Sequence, residues 1–160
     1  MLDGIGELYH TGAVVPDLEA AMVRTRAAMG IEWTTPVRSR TDVWTPAGDR
    51  VLSLMWTYSR GPGHRIELIQ QFEDIDAADR CAMPGEPHFG YWVKDADGAR
   101  GQLEAAGFET RFARLGEQDR TTLVSYHRSP WGFFVELVSE RVRPALQELL
   151  DGGGGWAGIG

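Results

Sequence analysis

The chain has 160 residues, 42 % hydrophobic and 24 % charged, which suits one globular domain or two small ones sharing a core. Its formal charge of −7 has the wrong sign for a phosphate backbone or an anionic membrane surface as partner. The one cysteine, Cys81, excludes an internal disulfide and a zinc-type cysteine cluster. No apolar run is long enough to cross a bilayer, and the first residues lack the basic-then-apolar pattern of a secretory signal. The expectation is a soluble cytoplasmic protein with a small-molecule or protein partner and no nucleic-acid or membrane partner.

In chain order, the first element is an extended run that carries His10-Thr11-Gly12 and stops at Asp17, a good helix N-cap. Leu18, Ala21, Met22 and Met29 then fall at helical spacing over about three turns. Gly30 sits where a helix C-terminus takes a left-handed residue. Two strands follow, over 34–44 and 50–58, joined at the turn Pro46-Ala47-Gly48-Asp49. Arg65-Ile66-Glu67-Leu68-Ile69 reads as a further strand with a carboxylate among core-forming residues.

The whole run then recurs. His88, Gly90, Val93 and Asp95 repeat the spacing of His10, Gly12, Val15 and Asp17. Ala99, Leu103 and Ala106 mark a second helix and Gly107 its end. Strands over 110–115 and 121–128 lead to Phe134-Val135-Glu136-Leu137-Val138, the counterpart of the Glu67 strand. A short helix over 144–150, stopping at Gly152, and a glycine-rich tail complete the chain. The fold class expected is α+β, with tandem βαβββ modules over 5–72 and 86–140 and the helix and tail over 141–160.

His10 and Glu67 begin and end the first module, and His88 and Glu136 begin and end the second. A lone histidine on an apolar strand is ordinarily a hydrogen-bonded core group, but a glutamate between core residues is costly without a partner. Strand alternation puts His88 on one face with Gly90 and Trp92, and Glu136 on one face with Phe134 and Val138. Packed about a pseudo-twofold axis, the four side chains meet. Two neutral imidazoles and two carboxylates balance a divalent cation and leave positions open for water or substrate.

This pattern resembles the paired βαβββ modules of the vicinal oxygen chelate superfamily, which includes glyoxalases, methylmalonyl-CoA epimerases, bleomycin-resistance proteins and extradiol dioxygenases. The resemblance is carried by His10-Thr11-Gly12, Ile66-Glu67-Leu68, the segment 88–107 and Ser129-Pro130-Trp131-Gly132-Phe133-Phe134-Val135-Glu136-Leu137. It implies a half-open barrel around one divalent ion (nickel, cobalt, zinc or manganese, with iron the lesser candidate) and a homodimer. The family's dioxygenases and fosfomycin-resistance enzymes take three ligands, at the places of His10, His88 and Glu136. Glyoxalase I and the epimerases add a fourth, at the place of Glu67.

The implied activity is therefore that of a glyoxalase-like lyase or isomerase, shifting a proton next to a metal-bound carbonyl of a small, apolar substrate. Glu136 is implied as the base, with Glu67 as the second catalytic carboxylate. Two other activities fit the family: a non-catalytic binding protein that sequesters an antibiotic or intermediate, and a non-haem iron dioxygenase using His10, His88 and Glu136 alone. The chain departs from the epimerases in lacking a second acidic stretch within 34–56, and from glyoxalase I in having no asparagine. Neither a coenzyme A nor a glutathione substrate is thereby supported.

Alternation also places Trp56, Trp92, Tyr126 and Phe134 as aromatic walls of a substrate pocket. His64, beside Gly63, is expected in solvent, and His127, close to the turn at Ser129-Pro130, is a candidate for the pocket rim. Cys81 has no His/Asn arrangement that would activate it. The glycines at 152–155 lack a following Gly-Lys-Ser/Thr and make no phosphate loop.

Overall fold

The computed structural model describes residues 4–152; the glycine tail beyond Gly152 and Trp156 lie outside the described residues. The first module comprises β1 (Glu7–Val14), α1 (Leu18–Met29), β2 (Val37–Val43), β3 (Arg50–Tyr58) and β4 (Arg65–Gln71). The second comprises β5 (His88–Val93), α2 (Ala96–Ala105), β6 (Glu109–Leu115), β7 (Thr122–Arg128) and β8 (Phe134–Ser139), and α3 (Arg143–Leu150) follows. Among the described residues no helix is long and apolar enough to cross a membrane.

The expected caps form. Asp17 accepts from the Ala20 amide at 2.9 Å, and Asp95 accepts from the Gly98 amide at 2.9 Å. Gly30 and Gly107 both take positive φ, at 69° and 86°. The two helix ends nevertheless differ. Gly30 N–H donates once, to Arg26, whereas Gly107 and Phe108 donate to Glu104 and Leu103 in the double bond pattern of a Schellman motif. Of the anticipated helical stripes, Leu18, Ala99 and Leu103 are buried, but Met29 is 66 % exposed and Ala106 is exposed. Met29 is the last residue of α1, and Ala106 is the C-cap that follows α2.

All eight strands form one sheet in the order β2-β3-β4-β1-β5-β8-β7-β6, a symmetric arrangement of the two repeats. Within each repeat the first and last strands run parallel, β1 beside β4 and β5 beside β8, and β1 and β5 join the repeats antiparallel. The sheet curls into a barrel. Its free edges meet at one bridge, where Trp44 and Ala113 exchange backbone hydrogen bonds of 2.8 and 2.9 Å. The half-open barrel of the sequence reading is thus nearly closed, and both modules contribute to it within one chain.

Helices α1 and α2 cover the outside. Leu18 packs with Trp33 and Leu68, and Ala96, Ala99 and Leu103 pack with Val135 and Leu137. Helix α3 packs elsewhere, burying Leu146, Leu149 and Leu150 against Tyr9, Tyr58, Trp92 and Val138. The sequence foretold this helix but not its place in the core.

Candidate metal centre

Two rows of paired residues run across the middle of the sheet. The first reads Tyr58 (β3), Glu67 (β4), Gly12 (β1), His88 (β5), and the second Tyr126 (β7), Glu136 (β8), Gly90 (β5), His10 (β1). The two rows are the same sentence written once per repeat. In each, the glycine lies between a glutamate of its own module and a histidine of the other. A Cβ at Gly12 would overlap the His88 ring, and a Cβ at Gly90 would overlap the His10 ring. This is the physical content of the His-x-Gly repeat: each glycine is the hole into which the other repeat's imidazole fits.

The rings are wholly buried, His10 at 0 % and His88 at 1 % exposure, and both turn Nε2 toward the carboxylates. His10 Nε2 lies 2.8 Å from Glu136 Oε2 and 3.3 Å from Glu67 Oε2. His88 Nε2 lies 2.9 Å from Glu67 Oε2 and 3.5 Å from Glu136 Oε2, and the two Nε2 atoms are 3.1 Å apart. One ligand atom from each residue falls within 4.8 Å of all the others. The spacings fit ligands about 2.0–2.2 Å from a shared cation, whose adjacent donors stand about 2.8–3.6 Å apart between right-angled and tetrahedral arrangements.

The electrostatics point the same way. Burial disfavours a charge on His10, but Glu136 and Glu67 outweigh it and raise the imidazole to about 9. Burial likewise disfavours the Glu67 carboxylate, but hydrogen bonds from His10 and His88 outweigh that and hold it at about 2. Glu136 Oε2 stands 2.8 Å from His10 Nε2, yet this buried oxygen has no hydrogen bond of full geometry among the described residues. A donor set of two imidazoles and two carboxylates with an unsatisfied oxygen at its centre can hold a divalent cation.

The cluster borders a cavity of about 130 Å³. Glu67, Glu136 and the phenols of Tyr9, Tyr58 and Tyr126 are its polar wall near the ligands. Leu52, Leu54, Ile69, Phe112 and Val138 make most of the remainder apolar, and Val142 and Leu146 close one side. Burial pushes the three phenols well above their ordinary value, and the carboxylates push them further, so they stay O–H donors.

Of the four aromatic walls anticipated, Trp56 and Tyr126 line the cavity. Trp92 and Phe134 do not. Trp92 is on the expected face, but Tyr9 stacks on it at 4.1 Å and takes its place at the cavity. Phe134 is buried in the cluster that holds Phe112 and Tyr126. His127, weighed for the rim, is instead 0 % exposed and bonded to Thr110 and Ser125. His64 is exposed beside Thr11, and burial pushes the Cys81 thiol up to about 11. Tyr58 and Tyr9 escaped the sequence reading. Tyr58 was findable, since it precedes Glu67 as Tyr126 precedes Glu136, one residue closer.

The description "Glyoxalase/Bleomycin resistance protein/Dioxygenase superfamily" fits residues 9–125. No curated protein matches the chain. Among solved structures, the methylmalonyl-CoA epimerase of Mycobacterium tuberculosis is similar at a TM-score of 0.53 and 19 % identity, over 87 % of this chain and 91 % of that one. A Streptomyces coelicolor methylmalonyl-CoA epimerase variant in complex with 2-nitronate-propionyl-CoA is similar at 0.52 and 19 %, over 85 % and 95 %. A hypothetical protein from Bacillus halodurans C-125 is similar at 0.53 and 16 %, over 83 % and 93 %. At such identities these structures establish the fold alone, while the family match spans most of the chain. The chain belongs to the glyoxalase/bleomycin resistance protein/dioxygenase superfamily.

Proposed function

We propose that the protein is a metal-dependent isomerase or lyase that moves a proton on the carbon next to a substrate carbonyl. The observation that carries this reading is the four-donor cluster bordering a largely apolar cavity. A divalent ion held by His10, Glu67, His88 and Glu136 supplies a Lewis acid for the charge that develops on a carbonyl oxygen. The imidazoles hold their positions because each is lodged over the other repeat's glycine.

Proton movement then falls to a carboxylate. Glu67 Oε2 accepts a hydrogen bond from His88 at 2.9 Å, whereas Glu136 Oε2 accepts none. Glu136 is accordingly the base, taking the proton from the substrate carbon and returning it. The apolar walls keep bulk water from that carboxylate, so the proton stays available for return. The small cavity suits a compact apolar group beside the carbonyl, and the protein works as a homodimer.

Elemental analysis of gently purified protein, with His10→Ala and Glu136→Ala beside it, tests the site. The expected result is near-stoichiometric nickel, cobalt, zinc or manganese, lost in both variants. Proton NMR in deuterium oxide then follows label uptake next to the carbonyl across a panel of small ketones and acyl thioesters. Protein that stays metal-free after incubation with each ion overturns the reading. Bound iron with oxygen uptake would replace it by the dioxygenase.

A further inference from the structure

The ligand rows obey the internal twofold, and Tyr9 breaks it. Its counterpart in the second repeat, one residue before His88, is Pro87. The register between β1 and β5 slips at this point: Leu8 faces Tyr91, but His10 faces Gly90. Tyr9 is the extra residue of a β-bulge, a feature that re-aims a side chain. Regular alternation would send Tyr9 and His10 to opposite faces of the sheet. With the bulge they share the barrel interior, their rings 4.3 Å apart.

The Tyr9 ring is fixed from two sides, edge-on against His10 and stacked on Trp92 with 18° between the planes. The side chain is 7 % exposed and borders the cavity, and its hydroxyl has no hydrogen-bond partner among the described residues. The Tyr58 phenol lies alongside, its ring 6.5 Å away and near enough to offset part of the rise in the Tyr9 pKa, but without the geometry of a full hydrogen bond. Tyr126 differs, because its hydroxyl already stands 3.4 Å from His88 Nε2. A buried hydroxyl without a partner destabilises the protein unless a ligand completes it. Here the hydroxyl belongs to a side chain that lines the cavity and packs on the ligand His10.

We propose that Tyr9 is a substrate-contacting residue whose phenol donates a hydrogen bond to the substrate oxygen that gains charge as the neighbouring carbon loses its proton. The inference rests on the isomerase reading above and deepens it. A neutral donor aimed at an oxygen binds more strongly as that oxygen turns anionic. Tyr9 therefore acts on the charged state more than on the ground state, and its loss lowers kcat more than it raises KM.

The test uses wild type and Tyr9→Phe, which removes one oxygen and keeps the ring. Three quantities are read: bound manganese, thermal midpoint without ligand, and affinity of the manganese-loaded protein for acetohydroxamate, a small carbonyl-derived anion. The expected variant holds as much manganese as wild type. Its midpoint is unchanged or higher, since an unpaired buried hydroxyl is gone, and it binds acetohydroxamate roughly 10–100-fold more weakly.

Equal affinities in the two proteins overturn the proposal and leave the isomerase reading standing. A variant that melts earlier and loses manganese overturns it too, because Tyr9 would then only support His10. Wild type that takes up manganese but not acetohydroxamate has the same effect. Wild type that holds no ion overturns both readings together, so the two failures are distinguishable.

Discussion

Gly12 and Gly90 are the residues on which the site depends most sharply, although neither supplies a ligand atom. Their Cβ positions are taken by the His88 and His10 rings, so even a methyl group forces an imidazole out of line. Gly12→Ala and Gly90→Ala are each expected to destabilise the protein by about 1–3 kcal/mol and to abolish stoichiometric ion uptake. Denaturant melts and elemental analysis would read both effects, and full ion content in either variant would refute the argument. The His-x-Gly repeat was legible in the sequence; its reason was not, because it lies in a cross-strand register. His127 gives a second prediction. Thr110 donates to Glu104 at 2.6 Å, so it accepts from His127 Nδ1, and Ser125 donates to Nε2. The imidazole is satisfied as the neutral form, and burial lowers it to about 4. Below an unfolded value of about 6.5 the unfolded chain takes up a proton that the folded one refuses. His127 should therefore cost stability as pH falls from about 6.5 to 4, by at most about 3 kcal/mol. Urea melts across that range should fall more steeply for wild type than for His127→Gln.

At the scale of elements, a repeat predicts best what it contains twice. Both helices, both caps and all eight strands were legible because each had a second copy to support it. Two of the departures are unpaired features. The bulge at Tyr9 has no partner in β5, and a strict period of two cannot announce an extra residue. Helix α3 has no partner either, and its leucines disclose an apolar face without saying what that face meets. It meets the interior of the barrel. Val142 and Leu146 line the cavity, and Arg143 fastens the helix start to Glu7 of β1 at 2.8 Å. Leu146 is 4 % exposed and also belongs to the core. Leu146→Ala is expected to cost about 2–4 kcal/mol in chemical denaturation. It should also enlarge the cavity, so that a naphthyl ketone binds the variant more tightly than wild type. An unchanged preference between phenyl and naphthyl ketones would show that α3 is not a wall of the binding space.

The whole molecule is two halves that complete one another. Neither module owns the site: His10 and Glu67 come from the first, His88 and Glu136 from the second, and each glycine cradle serves the opposite half's histidine. The sequence could show that the four residues are equivalent in pairs. It could not show whether a module meets its own neighbour or that of another chain, since both give the same local contacts. Within one chain, the antiparallel seam between β1 and β5 sets all four ligands around one point. The proposed homodimer is then not needed to complete the ligand set. Ion stoichiometry should be one per chain, with an affinity independent of protein concentration as the sample is diluted through any dimer–monomer transition. Sedimentation velocity read beside a competition assay for manganese would follow both quantities in one dilution series. Affinity that collapses together with the dimer would mean that the modules exchange between chains in solution. Affinity that holds while the sedimentation coefficient falls would mean that dimerisation serves something other than the ligand set.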